Sequence, residues 1–128
     1  MQIVIESFHK KFNSLESSLK KNAKAALLFL SQKDASIDIV LVSSSILDKN
    51  VLSFEHPHGF PMPKKSGKYL GQVYLNPDYI KKHGEDLEFM LIHGILHLLG
   101  YEHDTKNGIM KMEAQEKKVI NFLRTFNP

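Results

Sequence analysis

Two long segments with apolar residues at helical spacing, short β-branched runs between them, and a mixed order of the two place these 128 residues in the α+β class. The expected architecture is a small mixed β-sheet packed with helices. The length fits one domain spanning residues 1–128, with no repeat or linker. A hydrophobic share of 42%, a charged share of 24%, and only 7 Gly and 5 Pro exclude disordered, collagen-like and low-complexity classes.

Residues 2–6 read as a short strand. From Phe8 to Gln32, the apolar positions Phe12, Leu15, Leu19, Ala23, Ala26 and Leu30 recur at intervals of 3, 4, 4, 3 and 4, the one-faced pattern of an amphipathic helix with lysines opposite. Ile37 to Val42 is β-branched and apolar, as buried strands are. A turn-like stretch from Ser43 to Asn50 leads to a strand at Val51-Leu52-Ser53-Phe54, and a loop follows from His56 to Lys68. Tyr69 to Leu75 is a further strand, and Asn76-Pro77 is able to start a helical turn. Glu85 to Leu99 is a strongly apolar helix stopped by Gly100. After a loop at Tyr101–Gly108, residues 109–126 form a last helix with Ile109, Met112, Val119, Ile120, Leu123 and Phe126 on one side. Met110 and Met112 read as core.

The chain has no cysteine, which excludes disulfides, a thiolate nucleophile, iron–sulfur clusters and any zinc site built on sulfur. The longest apolar run, Ala25 to Leu30, is too short to span a bilayer, and Met1 to Glu6 lacks the features of a signal peptide. The expectation is a cytoplasmic protein without a membrane partner. The net charge of +3 is mild, but no acidic residue lies between His56 and Pro77. Within that stretch Lys64, Lys65 and Lys68 form a basic, Pro- and Gly-punctuated segment able to contact a phosphate backbone.

Seven histidines direct attention to spacing. His93 and His97 lie four apart and project from one helix face, so both reach one ion. Gly100 lets the chain reverse, and His103 returns as a third imidazole. Three neutral nitrogens leave a fourth tetrahedral position open, as catalytic zinc sites do, so one Zn2+ per chain is expected. His9, His56, His58 and His83 lack this geometry and read as surface residues. The pattern HxxxHxxGxxH is zincin-like and matches the histidines of metzincin proteases, which place a Glu after the first histidine as general base. Here that position is Gly94, so a peptidase lacks its base. An ion at the site still acidifies bound water or polarises a phosphoryl oxygen. Asp104, beside the third histidine, either orients an imidazole or begins the turn into the last helix.

The block from His93 to His103 resembles the signature of the YbeY family, bacterial endoribonucleases of ribosomal RNA maturation. Val51-Leu52-Ser53-Phe54 is similar to the family's VLSF strand, Leu70-Gly71-Gln72-Val73 resembles its LGDI strand, and Met112-Glu113 falls in its closing helix. The likeness spans about residues 37–126. It implies a zinc-dependent, single-strand-preferring endoribonuclease in small-subunit ribosomal RNA 3′-end maturation and ribosome quality control. Its metal ligands would be His93, His97 and His103, its partner ribosomal RNA or the ribosome, and DNA would not be a substrate. The family pattern carries an arginine several residues ahead of its VLSF strand. That region here is Ser45-Ile46-Leu47-Asp48-Lys49-Asn50, and the only arginine is Arg124. Lys49 is therefore the candidate catalytic cation, and Lys64, Lys65 and Lys68 are candidate RNA contacts. A non-catalytic RNA-binding assembly factor that uses its metal for folding is the alternative reading, and a metzincin-like peptidase a more distant one.

Overall fold

The structure, a computed structural model, describes residues 1–55 and 68–126. Four strands, β1 (Gln2–Ser7), β2 (Ala35–Leu41), β3 (Val51–Glu55) and β4 (Lys68–Leu75), form one sheet in the order β1-β2-β4-β3. The first three in that order run parallel, while β3 is the antiparallel edge strand, with Val51 opposite Leu75 and Ser53 opposite Val73. The sheet is therefore mixed, as the sequence predicts. Helices α1 (Asn13–Phe29), α2 (Pro77–Lys82), α3 (Leu87–Leu98) and α4 (Lys106–Phe126) complete the described elements.

Helix α1 packs on β1 and α3 packs on β3 and β4, while α4 rests on α1 and α3. Alternation in β2 turns Ile37, Ile39 and Leu41 into the core, where they meet Leu19, Leu27, Ile92 and Ile95. Burying such side chains contributes roughly 1.5–3 kcal/mol each. The sheet and α3 thus form a fixed bed for whatever α3 displays on its other face.

Boundaries differ from the sequence expectation where capping chemistry is local. Helix α1 stops at Phe29 because Ser31 adopts a left-handed φ of 61° and Gln32 N–H bonds Leu27 O. That is a C-terminal turn usually marked by glycine, so serine gives no stop signal. At the other end, Lys10–Phe12 form a 3-10 turn ahead of α1. Asn76 caps α2 by accepting from Tyr79 N–H, so the helical turn anticipated at Asn76-Pro77 extends to Lys82. Helix α4 begins at Lys106, ahead of Ile109, because Thr105 Oγ1 accepts from Gly108 N–H. Its buried side carries Met112, Val119 and Leu123, whereas Ile109 and Met110 are exposed, which corrects the expectation that both methionines are core. The side chain of Phe126 lies outside the described residues.

Candidate metal centre

Helix α3 is held at both ends. Asp86 caps its start by accepting from Glu88 N–H, and Asn22 of α1 donates to the Glu88 carboxylate. At its end Gly100 N–H bonds His97 O and Tyr101 N–H bonds Leu96 O, a paired closure that uses the φ of 96° at Gly100. One turn apart on this helix, His93 and His97 bring their Nε2 atoms to 3.2 Å. Past Gly100 the chain returns His103, and its ring centroid stands 4.8 Å from that of His97 and 5.6 Å from that of His93.

One nitrogen from each of the three rings lies within 4.8 Å of the others. Two nitrogens bonded at about 2.0–2.1 Å to a tetrahedral ion stand about 3.3 Å apart. The His93–His97 pair already has that separation, and the exposed His103 needs only a small approach. The donor set therefore fits a divalent ion that accepts imidazole nitrogen. Zinc, copper, iron and nickel all meet that description.

Burial within the cluster, reinforced by the neighbouring His93 and His103 rings, pushes the His97 pKa below its usual 6.5, against the pull of a hydrogen bond with the Tyr101 backbone. Its ring stays neutral to lower pH, the state a metal requires. His93 has a different partner: its Nδ1 lies 2.7 Å from Glu116 Oε2 of α4. Among the described residues, the carboxylate bonded to a ring of this cluster is Glu116 and not Asp104, which is exposed in the turn before α4. Sequence reasoning passed over Glu116. The signal was present, since Met112, Glu116, Val119 and Leu123 follow spacings of 4, 3 and 4 and place a carboxylate in an apolar stripe.

The histidines form one wall of a cleft of about 400 Å³ whose other wall is Lys49–Ser53 and Glu55. Lys49, singled out from sequence, lines the same cleft as the histidines, and so do Glu55 and Glu102. Lys68 lines a neighbouring hollow that shares Glu55, Leu98, Gly100 and Tyr101 with the cleft. Lys64, Lys65, His56 and His58 lie outside the described residues. Arg124 lines a hollow on the α4 side of His93, together with Phe89, Lys117 and Ile120.

Gly94 explains the missing base. A Cβ there would lie 2.7 Å from Val73 Cγ1, 3.1 Å from Ser53 Oγ and 3.3 Å from Val51 Cγ2. The position faces the sheet, where Gly94 O also accepts from Ser53 Oγ, and no carboxylate can extend from it into the cleft. Gly108 has a parallel role, since a Cβ there would meet Glu102 O at 2.6 Å. The first turn of α4 therefore packs directly on the segment that carries His103.

A family model described as Endoribonuclease YbeY matches residues 5–124. A Bartonella bacilliformis protein named Endoribonuclease YbeY is 36% identical over 89 residues, 62% of this chain and 54% of its own length. One of the same name from Nitrobacter hamburgensis is 32% identical over 108 residues, 75% of this chain and 57% of its own length. The chain spans about half the length of the curated relatives it matches. The solution structure of TM1509 from Thermotoga maritima shares the fold, with a TM-score of 0.55 at 21% identity over 98% of this chain and 93% of that one.

Proposed function

The chain belongs to the YbeY family, and from that membership we propose that it is a zinc-dependent endoribonuclease. Its substrate is single-stranded RNA, and its cellular role is ribosomal RNA processing in the cytoplasm: 3′-end maturation of the small-subunit RNA and ribosome quality control. No helix among the described residues is long and apolar enough to cross a membrane, which is compatible with that setting.

The observation that carries this reading is the cluster itself, three imidazoles on one wall of a cleft with a lysine on the other. His93, His97 and His103 would hold one ion, which when bound supplies Lewis acidity toward a phosphoryl oxygen or a water. The open cleft leaves room for an extended polyanion beside the histidines. Lys49 offsets negative charge that grows on the phosphate during cleavage, as a point charge without the two-pronged grip of arginine. Lys64, Lys65 and Lys68 are proposed to hold flanking nucleotides.

A second reading has one observation behind it. The only arginine, Arg124, sits on the far side of His93 from the cleft wall that carries Lys49, so the bidentate phosphate grip expected ahead of β3 is missing. A protein that binds ribosomal RNA without cutting it would tolerate that loss. A peptidase would not tolerate the packing at Gly94, which shuts out the base that chemistry needs.

Incubating single-stranded RNA with the wild type and with His97→Ala, after quantifying bound zinc, decides between them. Zinc-dependent cutting by the wild type alone supports the nuclease. RNA binding with no cutting, with or without zinc, establishes the assembly factor instead.

A further inference from the structure

We infer that Glu116 is a positioning residue of the metal centre, one that fixes the tautomer of His93 and strengthens its hold on the ion; the inference rests on the metal-site reading above. Helix α4 buries Met112, Glu116, Val119 and Leu123 along one stripe, and Glu116 is only 4% exposed. A carboxylate in such a position is costly unless a donor meets it. The group that meets it is the His93 ring, with Nδ1 at 2.7 Å from Oε2.

A neutral imidazole has one N–H and one lone pair, and an ionised carboxylate only accepts. With the carboxylate ionised and the ring neutral, this contact places the proton on Nδ1 and the lone pair on Nε2. That Nε2 is the atom facing His97 Nε2 at 3.2 Å, inside the cluster. The carboxylate also feeds electron density into the ring, which makes Nε2 a better donor to a cation. A purely structural clasp between α3 and α4 would have no need of this orientation. Leucine at position 116, continuing the apolar stripe, would join the two helices equally well.

The two roles predict opposite outcomes. With the 128-residue chain, zinc affinity is measured by competition against a chelator, and the His93 tautomer by long-range proton–nitrogen correlation in the metal-free protein. Metal-free wild type should show His93 protonated on Nδ1. In Glu116→Leu the metal-free fold should be at least as stable as wild type, the Nδ1–H bias should vanish, and zinc should bind roughly 10–100-fold more weakly. Glu116→Gln, which keeps the shape and an acceptor oxygen but loses the charge, should fall between the two. Zinc affinity within twofold of wild type in both variants, or His93 protonated on Nε2 in the wild type, overturns the inference while leaving the metal site intact. A wild type that takes up no zinc overturns the metal-site reading and this inference with it. RNA cleavage enters none of these readouts, so failure of the nuclease proposal is separately detectable.

Discussion

Replacing Gly94 by alanine sets two known effects against each other. In a solvent-facing helix the change would stabilise the protein by roughly 0.8–1 kcal/mol, because glycine loses more backbone freedom on folding. At position 94 the new methyl would stand 2.7 Å from Val73 Cγ1, in an interface where Val73 is fully buried. Carbon atoms in contact prefer about 3.5–4.0 Å, so the pair is about 1 Å too close. Overpacking of this kind costs about 1–3 kcal/mol, and lifting α3 would stretch the Ser53–Gly94 hydrogen bond, worth about 1 kcal/mol. The net expectation is a loss of about 1–2 kcal/mol, or roughly 4–8 °C in Tm for a chain of this size. Urea denaturation in the presence of chelator measures it without interference from metal. The decisive comparison is a cycle with Val73→Ala, which opens space for the methyl. The double variant should be more stable than the sum of the single losses by about 1 kcal/mol. A Gly94→Ala protein more stable than wild type, with additive losses in the cycle, would refute the packing argument. By the same reasoning, Gly94→Glu should not create casein cleavage, although it restores the peptidase motif.

Five further outcomes follow from particular contacts. His97→Ala should lower zinc affinity by at least ~100-fold, since one of three ligands is lost; retention of zinc, read by elemental analysis after dialysis against chelator, would contradict the cluster. Acidification should strip the metal, because the imidazoles must be neutral to bind it, and metal content unchanged down to about pH 4 would count against an all-histidine site. Without metal, the lowered pKa of His97 means that the unfolded chain takes up a proton first as pH falls through 6.5, so stability measured by urea titration should decline in that direction. Asn76→Ala should cost about 2–4 kcal/mol, since a fully buried side chain that caps α2 and donates to Leu47 O and Ser44 Oγ would be lost; a cost below ~1 kcal/mol in urea would show that the turn toward Lys49 does not depend on it. Gly108→Ala should weaken zinc binding about tenfold by pressing on Glu102 O, a change comparable to removing a group that orients a ligand. An unaltered chelator competition curve would separate α4 from the placement of His103.

Much of this site was readable because its signals are local. Ligands four apart on one helix, followed by glycine and a third histidine, need no tertiary information to suggest convergence, and α3 brings them together with Gly100 at its end. The four strands were legible for a related reason: each is a compact β-branched or alternating run. What escaped depended on contacts between distant segments. Glu116 looks like any surface glutamate until the apolar stripe around it is noticed, and nothing nearby names His93, 23 positions earlier, as its partner. Gly94 announced what the site lacks, but the reason lies in Val73, Ser53 and Val51 across the helix–sheet interface. Gly108 reads from sequence as the end of the Tyr101–Gly108 loop, whereas it belongs to the first turn of α4, where the His103 segment approaches closely. The start of α4 was missed because the Thr105 hydroxyl outweighs the low helix preference of Asn107 and Gly108.

X-ray absorption at the zinc edge on the metal-loaded 128-residue chain puts the central claim to its most direct trial. Three imidazole nitrogens at about 2.0–2.1 Å, with a fourth, non-protein oxygen completing a tetrahedron, is the predicted spectrum. Two or fewer imidazoles, or a protein carboxylate as fourth ligand, would contradict a site open for chemistry.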